Sequence, residues 1–259
     1  MRTDKLVFAK GLAKSREAAQ RMIKDGAVEI DGRTVTKPSL DVPEDADIKI
    51  VGEILPYVSR GGLKLERALD AFKVDVAGLD CVDIGASTGG FTDCLLQRGA
   101  ARVRALDVGR SQLDPSLEAH PRVTSFEGIN ARYVTPDAIG GVCDMAVCDV
   151  SFISLTLIMP AVRTLIKDGG RFVALIKPQF EAGRENIGKG GIVRDRNVHT
   201  EVISRVLGFA KESGFYPMAL CVSPILGGDG NREYLALFGT DEISEAVTEY
   251  DIKKVVFDR

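Results

Sequence analysis

The feature that most constrains the fold of this chain is a regular alternation of short apolar runs and helical patterns from Cys81 onward. The apolar runs predict strands at residues 81–84, 103–107, 123–126, 145–149, 172–177, 218–222 and 234–238. The helical patterns predict helices at residues 63–72, 91–98, 112–119, 154–166 and 200–213. Strands and helices that alternate at this spacing form a parallel or mostly parallel sheet with helices on both faces.

The end of this pattern departs from the alternation. The last two predicted strands have no helix between them, only a segment that contains the turn Gly-Gly-Asp-Gly at residues 227–230. Strands joined in this way pair antiparallel. We therefore predict an α/β domain with a mostly parallel, seven-stranded sheet that ends in an antiparallel pair, the arrangement of the Rossmann-type methyltransferase fold.

Composition excludes several classes of protein. The chain has 259 residues, a formal net charge of −3, five cysteines and two histidines. The cysteines form no C-x-x-C pair, so we expect no zinc or other metal site. No apolar segment resembles a signal peptide or approaches 18 residues, so we expect a soluble, cytoplasmic protein that is not inserted in a membrane. Because the net charge is slightly negative, any surface that binds nucleic acid must be local.

The first 53 residues form a separate α+β pattern. Thr3 and Asp4 are expected to cap a first helix, and Ser15 is expected to cap a second. A short strand at residues 28–30 is followed by Asp31-Gly32, a strong hairpin signal, and another strand is predicted at residues 47–51. Residues 1–24 contain seven basic and two acidic side chains. This excess of positive charge indicates a surface that can follow phosphates.

This segment resembles the alpha-L RNA-binding fold, which is the fold of ribosomal protein S-four. The matching positions are Gly11, residues 15–18, Ile23, residues 26–28 and residues 31–32. The resemblance implies that positive side chains on the two helices and the following turn hold an RNA backbone. The candidate RNA-binding residues are Lys14, Arg16, Arg21, Lys24 and Arg33. The alternative is a small basic domain with a purely structural role.

The remaining boundaries follow from the same patterns. Residues 54–62 contain Pro56, Gly61 and Gly62, which break regular structure, and are predicted to be a linker. Residues 63–245 form the predicted α/β domain, and residues 246–259 a charged C-terminal tail.

A glycine-rich turn after the first strand of the α/β domain predicts a cofactor site. Residues 83–91 read Asp-Ile-Gly-Ala-Ser-Thr-Gly-Gly-Phe and open a helix whose free amide groups face the turn. The spacing differs from the G-x-G-x-x-G of dinucleotide sites, and an acidic residue precedes the first glycine by two. This pattern favours S-adenosylmethionine over a dinucleotide, and a glycine turn without a ligand is the alternative.

We assign roles within that site by position. Asp107, at the end of the second strand, is placed to accept hydrogen bonds from a ribose diol. Asp83 is expected near the amino-acid part of the cofactor or its water, and Asn130 near the adenine. The predicted cofactor-binding residues are Asp83, Gly85, Ala86, Ser87, Gly89, Gly90, Phe91, Asp107, Val108, Asn130 and Asp149.

Four charged residues stand out as candidates for catalysis. Asp149 and Lys177 close very apolar strands at their carboxyl ends, where ligand crevices of such sheets lie. Glu233 precedes the last strand, and Lys64 lies in the helix before the first. The alternative for each is a surface salt bridge, which is the commoner case for Lys64 and Glu233 taken singly.

Five motifs together resemble the TlyA family. They span residues 59–65, 85–92, 149–155, 177–181 and 231–234 and occur in the family's order. TlyA proteins join an alpha-L domain to a methyltransferase domain of the FtsJ (RrmJ) type, and the match covers essentially the whole chain. The glycine turn has Ser87-Thr88 where FtsJ typically has a proline before the paired glycines, but TlyA sequences share the Ser-Thr form.

The resemblance implies methylation of a ribose 2'-hydroxyl, with cytidine in ribosomal RNA as the expected target and ribosomal subunits as partners. It also implies a Lys-Asp-Lys-Glu tetrad at Lys64, Asp149, Lys177 and Glu233. A ribose hydroxyl is a poor nucleophile, so an ammonium group that stabilises the developing alkoxide is useful. We expect Lys177 to contact the hydroxyl, Asp149 and Glu233 to hold Lys177, and Lys64 to tune the site and anchor the substrate.

Three different functions are compatible with parts of the pattern. The first is pseudouridine synthesis, because alpha-L domains also precede pseudouridine synthases. Those enzymes need a catalytic aspartate in an Arg-Leu-Asp context, and the nearest approach, Ala105-Leu106-Asp107, lies in the cofactor site. The second is a non-catalytic ribosome-binding factor, and the third is a haemolysin-type membrane-active protein.

The basic, glycine-rich residues 182–191 are expected either to fold over bound RNA or to form an ordinary surface loop.

Overall fold

The computed structural model divides the chain into two compact units, Met1–Val58 and Ser59–Arg259. It describes residues 1–13, 15–24, 26–51, 55–228, 230–242 and 247–258, with the side chains of Glu17 and Arg21 left out. The boundary between the units falls inside the predicted linker, residues 54–62, and residues 52–54 lie outside the described residues.

The first unit contains two helices and a three-stranded sheet. The helices are α1 (Thr3–Ala9) and α2 (Arg16–Lys24), and the strands are β1 (Val28–Ile30), β2 (Arg33–Thr34) and β3 (Ile48–Ile50). The sheet order is β2-β1-β3, and both pairs are antiparallel. The predicted hairpin is confirmed, because Asp31 and Gly32 both have positive φ, 49° and 74°, as the two central residues of a type I′ turn require.

The predicted cap of the first helix is wrong. Helix α1 begins at Thr3, and Asp4 lies within its first turn, where it is completely buried. The Asp4 carboxylate accepts hydrogen bonds from Arg2, Arg16 and Gln20, so it ties the two helices together. The Ser15 side chain, by contrast, accepts a hydrogen bond from the Ala18 amide, as expected of a cap.

The candidate RNA-binding residues of this unit are in different situations. Arg16 forms an ion pair with Asp4 at 2.9 Å and keeps 41% of its side chain exposed. Lys24 and Arg33 are exposed. Lys14 and the side chain of Arg21 lie outside the described residues. RNA binding by these side chains therefore stays a prediction.

The second unit has the predicted α/β architecture. Its strands are β4 (Asp80–Ile84), β5 (Arg102–Asp107), β6 (Val123–Glu127), β7 (Cys143–Cys148), β8 (Ile166–Ile176), β9 (Tyr216–Val222) and β10 (Tyr234–Gly239). Its helices are α3 (Gly61–Phe72), α4 (Gly90–Gln97), α5 (Pro115–Glu118), α6 (Met159–Leu165), α7 (Pro178–Glu181), α8 (Arg196–Glu212) and α9 (Glu249–Phe257). The seven strands lie in the order β6-β5-β4-β7-β8-β10-β9, with β10 antiparallel to both neighbours and the other pairs parallel.

Two helices are shorter than predicted, and proline explains both. Helix α5 is a single turn that starts at Pro115, with the Asp114 side chain accepting a hydrogen bond from Ser116. The helix predicted at residues 154–166 is divided into a 3₁₀ turn, Leu155–Leu157, and helix α6. Pro160 has no amide hydrogen to donate, so it fits the first turn of α6 and not the interior of a longer helix.

Residues 246–259, predicted to be a charged C-terminal tail, contain helix α9. The helix begins with a capping box between Thr248 and Asp251. Its Ile252 and Val256 are buried in the same apolar core as strands β7 and β8. Helix α9 is therefore packed against the core of the second unit.

The strand order places a crevice above β4 and β7. From β4, the chain runs outward to β5 and β6 on one side, and then returns to β7 on the other. The connections that leave β4 and β7 therefore diverge at this point, which is where open α/β sheets bind their ligands. The two connections begin at Gly85 and Asp149.

Candidate active site

Glycine at position 85 lets the loops after β4 and β7 meet. Gly85 has a φ of 83°, and a Cβ atom placed on it would lie 2.7 Å from the backbone oxygen of Asp149. The Asp149 amide donates to the oxygen of Ile84 at 3.0 Å, which holds the two loops together. Any other residue at position 85 would both adopt a strained conformation and push Asp149 away.

Asp83 lies beneath the glycine turn and not in the wall of a cavity. It has no exposed surface, and its Oδ2 accepts a hydrogen bond of 2.7 Å from the Thr92 hydroxyl. Its Oδ1 has no hydrogen-bond partner among the residues that the structure describes. Burial raises the pKa of Asp83 to about 7, against the opposing effect of the Thr92 hydrogen bond. Asp83 therefore has no exposed surface for a direct contact, and its place near the amino-acid part of a cofactor or its water stays a prediction.

Asp107 lies at the end of β5 and fixes the glycine turn. Its two carboxylate oxygens accept hydrogen bonds from the amides of Ser87 and Gly109, at 2.8 and 2.7 Å. Each carboxylate oxygen has a second lone pair, so Asp107 can still accept from two neighbouring hydroxyl groups.

Two adjoining cavities open at this edge of the sheet, with volumes of about 280 and 480 Å³. They share the lining residues Gly85, Ser87, Asp149 and Ser151. The smaller cavity is also lined by Ala86, Gly90, Phe91, Lys64 and Lys177. The larger is also lined by Asp107, Val108, Asn130 and Phe152. A ligand that fills both would pass directly over the glycine turn.

Lys177 forms an ion pair with Asp149 in the smaller cavity. Its Nζ lies 2.6 Å from Asp149 Oδ1 and donates to the Ser151 hydroxyl oxygen at 2.9 Å. Lys177 follows the last residue of β8 and Asp149 the last residue of β7, and these two strands are neighbours in the sheet. The ion pair is therefore a direct consequence of two parallel strands ending side by side.

Lys64 and Glu233 form a second ion pair, which corrects one expectation. Glu233 Oε2 accepts from Lys64 Nζ at 2.6 Å, so Glu233 holds Lys64 and not Lys177. Lys64 Nζ also lies 4.0 Å from Asp149 Oδ2, which connects the two pairs into one row of alternating charge. Lys64 and Lys177 are buried, and Glu233 is 2% exposed.

Gly227 makes room for Glu233. A Cβ atom at position 227 would lie 2.5 Å from Glu233 Oε1. The glycine-rich turn between β9 and β10 is therefore needed for close packing against the tetrad, in addition to reversing the chain. Its Ile225, Leu226 and Gly228 line the smaller cavity.

The structure brings together most of the predicted site residues. The four tetrad residues form one connected row, and nine of the eleven predicted cofactor residues line a cavity. Asp83 and Gly89 do not, because Asp83 is buried and Gly89 faces Leu113 and Leu117, with a Cβ at position 89 lying within 2.8 Å of both. Glu233 also lies behind the cavity wall, where it reaches the site through Lys64.

Several lining residues were not predicted. Ser59, Arg60 and Gly61 line the smaller cavity, although the sequence places them in the linker. Phe152 lines the larger cavity, has a φ of 64° and is 90% exposed, with its ring 5.1 Å from that of Phe180. The motifs at residues 59–65 and 149–155 were the available signal for all of these positions.

Two kinds of feature are missing from the residues that the structure describes. Among them, no cluster of three or more His, Cys, Asp or Glu side chains could hold a metal ion. No helix built from them combines the length and apolar character that crossing a lipid bilayer requires.

Comparison with known proteins places these observations in a family. The FtsJ-like methyltransferase family matches residues 57–240, and the S4 domain matches residues 1–48. A Bacillus subtilis protein with the provisional name rRNA methyltransferase YqxC is 46% identical over 98% of this chain and 92% of its own length. The Mycobacterium tuberculosis 16S/23S rRNA (cytidine-2'-O)-methyltransferase TlyA is 44% identical over 90% of this chain and 87% of its own. A solved structure from Streptococcus thermophilus, provisionally named a hemolysin, is 46% identical and covers 99% of this chain and 94% of its own, with a TM-score of 0.78.

Proposed function

The chain belongs to the FtsJ-like methyltransferase family, in its TlyA group with an N-terminal S4 domain, and we propose that it methylates ribose 2'-hydroxyl groups of ribosomal RNA with S-adenosylmethionine. We further propose cytidine as the target nucleoside. The observation that carries the proposal is the row formed by Lys177, Asp149, Lys64 and Glu233 beside the glycine turn.

The two cavities fit S-adenosylmethionine by their chemistry. Asp107 has lone pairs left for the two ribose hydroxyls, and Asn130 lies further along the same cavity, where it would meet the adenine. Asp149 lines both cavities and is an anion, which suits a positively charged sulfur nearby. When bound, S-adenosylmethionine supplies an electrophilic methyl group on that sulfur.

Lys177 is the residue that we propose to act on the ribose hydroxyl. Its Nζ lines the smaller cavity and is held by Asp149 and Ser151, so its position is fixed before substrate arrives. As a neutral amine, Lys177 can take up the hydroxyl proton, and the ammonium that results stabilises the negative charge on the oxygen. The oxygen would bond to the methyl carbon as the carbon–sulfur bond of the donor breaks, and the sulfur would leave as a neutral thioether. Lys177 would then pass its proton to water.

Lys64, Asp149 and Glu233 keep the site close to neutral. The row contains two ammonium and two carboxylate groups, so the buried charges balance. Balanced ion pairs lower the free-energy cost of the ammonium that Lys177 becomes when it takes up the proton away from water. Lys64 lines the cavity as well and is therefore a second candidate contact for the ribose or its phosphate.

The first unit is proposed to supply affinity for the RNA backbone. Lys24 and Arg33 are exposed, and Arg16 keeps 41% of its side chain exposed beside its ion pair with Asp4. Lys14 and Arg21 complete the set proposed from the sequence. Each phosphate contact should make binding weaker as salt concentration rises, because counterions are released when the contact forms.

Mapping of methyl groups on ribosomal RNA tests the proposal. Purified protein would be incubated with separated ribosomal subunits and S-adenosylmethionine that carries a labelled methyl group. Ribose methylation blocks alkaline cleavage at the modified nucleotide, so its position can be read from a cleavage ladder. We expect label on a cytidine 2'-oxygen.

Lys177→Ala and Lys167→Ala form a matched pair for this assay. Lys177 follows β8, and Lys167 lies near the opposite end of the same strand, with 55% of its side chain exposed. Lys177→Ala should lower the rate by about 10²- to 10⁴-fold while calorimetry shows nearly unchanged cofactor affinity. Lys167→Ala should behave as wild type. Label on a base, label on no RNA, or wild-type turnover by Lys177→Ala would each contradict the proposal.

A further inference from the structure

Gln179 contacts Glu233 of the tetrad but has no role in the proposed reaction. It is the second residue of the one-turn helix α7, two residues after Lys177. Its Nε2 donates to Glu233 Oε1 at 3.3 Å, while Lys64 donates to the other oxygen of the same carboxylate. Gln179 does not line either cavity beside the glycine turn, so its effect on the reaction must pass through Glu233.

The orientation of the Gln179 amide is fixed by the charge of its partner. With Nε2 towards Glu233, the amide donates to a carboxylate; turned over, it would place its own oxygen against a carboxylate oxygen. The observed orientation leaves Oε1 buried, without a hydrogen-bond partner among the described residues. The amide therefore satisfies Glu233 while its own oxygen has no donor, and a buried carbonyl without a donor costs free energy.

The contact closes a ring of interactions around the site. Lys177 holds Asp149, Asp149 lies near Lys64, and Lys64 holds Glu233. Gln179 links Glu233 back to the short segment that carries Lys177. The ring therefore links the Lys177–Asp149 and Lys64–Glu233 ion pairs through helix α7. Because the Gln179 amide is a neutral donor, it leaves the balance of charges unchanged.

We propose that Gln179 is a positioning residue for methyl transfer: its amide orients the Glu233 carboxylate and, through it, the ammonium group of Lys64. This inference rests on the proposed methyltransferase function. A misplacement of about 1 Å in such a site can lower a rate by as much as 10²-fold, so loss of the amide should be visible in turnover.

Two substitutions separate positioning from packing. Gln179→Leu keeps much of the volume and removes the donor, and it should lower kcat by roughly 10- to 100-fold with cofactor affinity unchanged. Gln179→Glu keeps the shape, but an ionised carboxylate cannot donate, whereas a protonated one can. The activity of Gln179→Glu relative to wild type should therefore rise as the pH is lowered from about 8 to about 6. Gln97→Leu, on the exposed end of α4, is the matched control and should have wild-type activity at every pH.

A crystal structure of Gln179→Leu supplies a readout that does not depend on turnover. We expect the Glu233 carboxylate to rotate and the 2.6 Å contact with Lys64 to lengthen or break. If wild type methylates RNA but Gln179→Leu turns over normally, or if Gln179→Glu has wild-type activity at every pH, the positioning role is wrong and the proposed function stands. If wild type methylates no RNA, the proposed function fails, and the crystal structure alone decides: an unchanged Lys64–Glu233 contact overturns the inference.

Discussion

Strands β7 and β8 carry an ion pair of the same residue types at each end, and the two pairs differ in their surroundings. At the amino end, Lys167 Nζ lies 2.5 Å from Asp144 Oδ1. At the carboxyl end, Lys177 Nζ lies 2.6 Å from Asp149 Oδ1. The two distances and the residue types are thus nearly the same and do not distinguish the pairs. The exposure of the lysines does: the Lys167 side chain is 55% exposed and the Lys177 side chain 10%.

What distinguishes them is burial and the space around them. The amino-end pair is partly solvated, and Asp144 also accepts a hydrogen bond from the Asp80 amide. An exposed pair of this kind contributes at most about 1 kcal/mol to stability. The carboxyl-end pair is desolvated, which costs free energy, and it faces a cavity instead of solvent or packed side chains. We conclude that the amino end uses charge to fasten the sheet, whereas the carboxyl end holds charge ready for a ligand.

The largest expected difference between the two ends is in activity. Asp149→Asn removes the anion that pairs with Lys177 and approaches Lys64, and it should lower kcat by about 10²- to 10⁴-fold. Asp144→Asn, five residues earlier in the chain and within β7, should change kcat by less than about twofold. Single-turnover methylation of ribosomal subunits measures both. Equal losses in the two variants would remove the distinction between the ends.

A second difference is in how stability depends on pH. Burial raises the pKa of Asp83 to about 7 in the folded protein, whereas in the unfolded chain the pKa of this group is near 3.8. The folded protein therefore holds the Asp83 proton to a higher pH than the unfolded chain does. The free energy of unfolding should therefore fall as the pH rises from about 4 to about 7, by about 1.4 kcal/mol per unit from this group. Asp83→Asn should flatten that dependence.

Asp144 should act in the opposite sense. Its hydrogen bond with Lys167 lowers the pKa of Asp144, so its contribution is present above pH 3.8 and is lost on acidification. Urea unfolding of Asp83→Asn, Asp144→Asn and wild type between about pH 3 and about pH 8 checks the two signs. Parallel pH profiles for Asp83→Asn and wild type would contradict the burial argument.

A third difference is that loss of a charged group at the amino end should reduce stability and leave activity unchanged. Arg104 is 2% exposed and donates to Asp80, the Gly141 oxygen and Cys143 Sγ. Arg104→Met removes this donor, although Asp80 keeps its hydrogen bonds from Arg102, and should destabilise the protein by about 3 kcal/mol. The folded variant should still methylate at the wild-type rate, as measured below its unfolding midpoint. If Arg104→Met were as stable as wild type but inactive, the amino end of the sheet would serve activity and not stability, contrary to our conclusion.

The sequence was sufficient for the framework of the site because its signals are local. The glycine turn, the hairpin at Asp31-Gly32 and the acidic or basic residues that close apolar strands each lie within a few adjacent positions. Parallel strands bring their carboxyl ends together whatever the intervening lengths, so Asp149 and Lys177 could be placed side by side.

The parts that the sequence did not predict depend on contacts between distant residues. Glu233 pairs with Lys64 across 169 positions, and nothing local distinguishes that partner from Lys177. Burial of Asp83 beneath the turn, and of Asp4 between two helices, likewise follows from packing and not from the residue type. Ser59 and Arg60 looked like part of a linker because glycines adjoin them, although helix α3 begins at Gly61 and brings them to the cavity.

The smallest expected difference concerns the hydroxyl groups beside β8. Ser151 Oγ accepts from Lys177 Nζ at 2.9 Å, whereas Thr240 Oγ1, near the other end of the strand, donates to the Lys167 backbone oxygen at 3.4 Å. Ser151→Ala removes one of two groups that hold the ammonium, and a hydrogen bond to a charged group contributes about 1.5 kcal/mol, so kcat should fall by roughly tenfold. Because Ser151 is exposed, thermal stability should hardly change. Thr240→Val should show the reverse, with wild-type kcat and a loss of stability of at most about 1 kcal/mol. If Ser151→Ala instead lowered stability without lowering kcat, the Lys177–Ser151 contact would be structural, and the carboxyl end would resemble the amino end more than its cavity suggests.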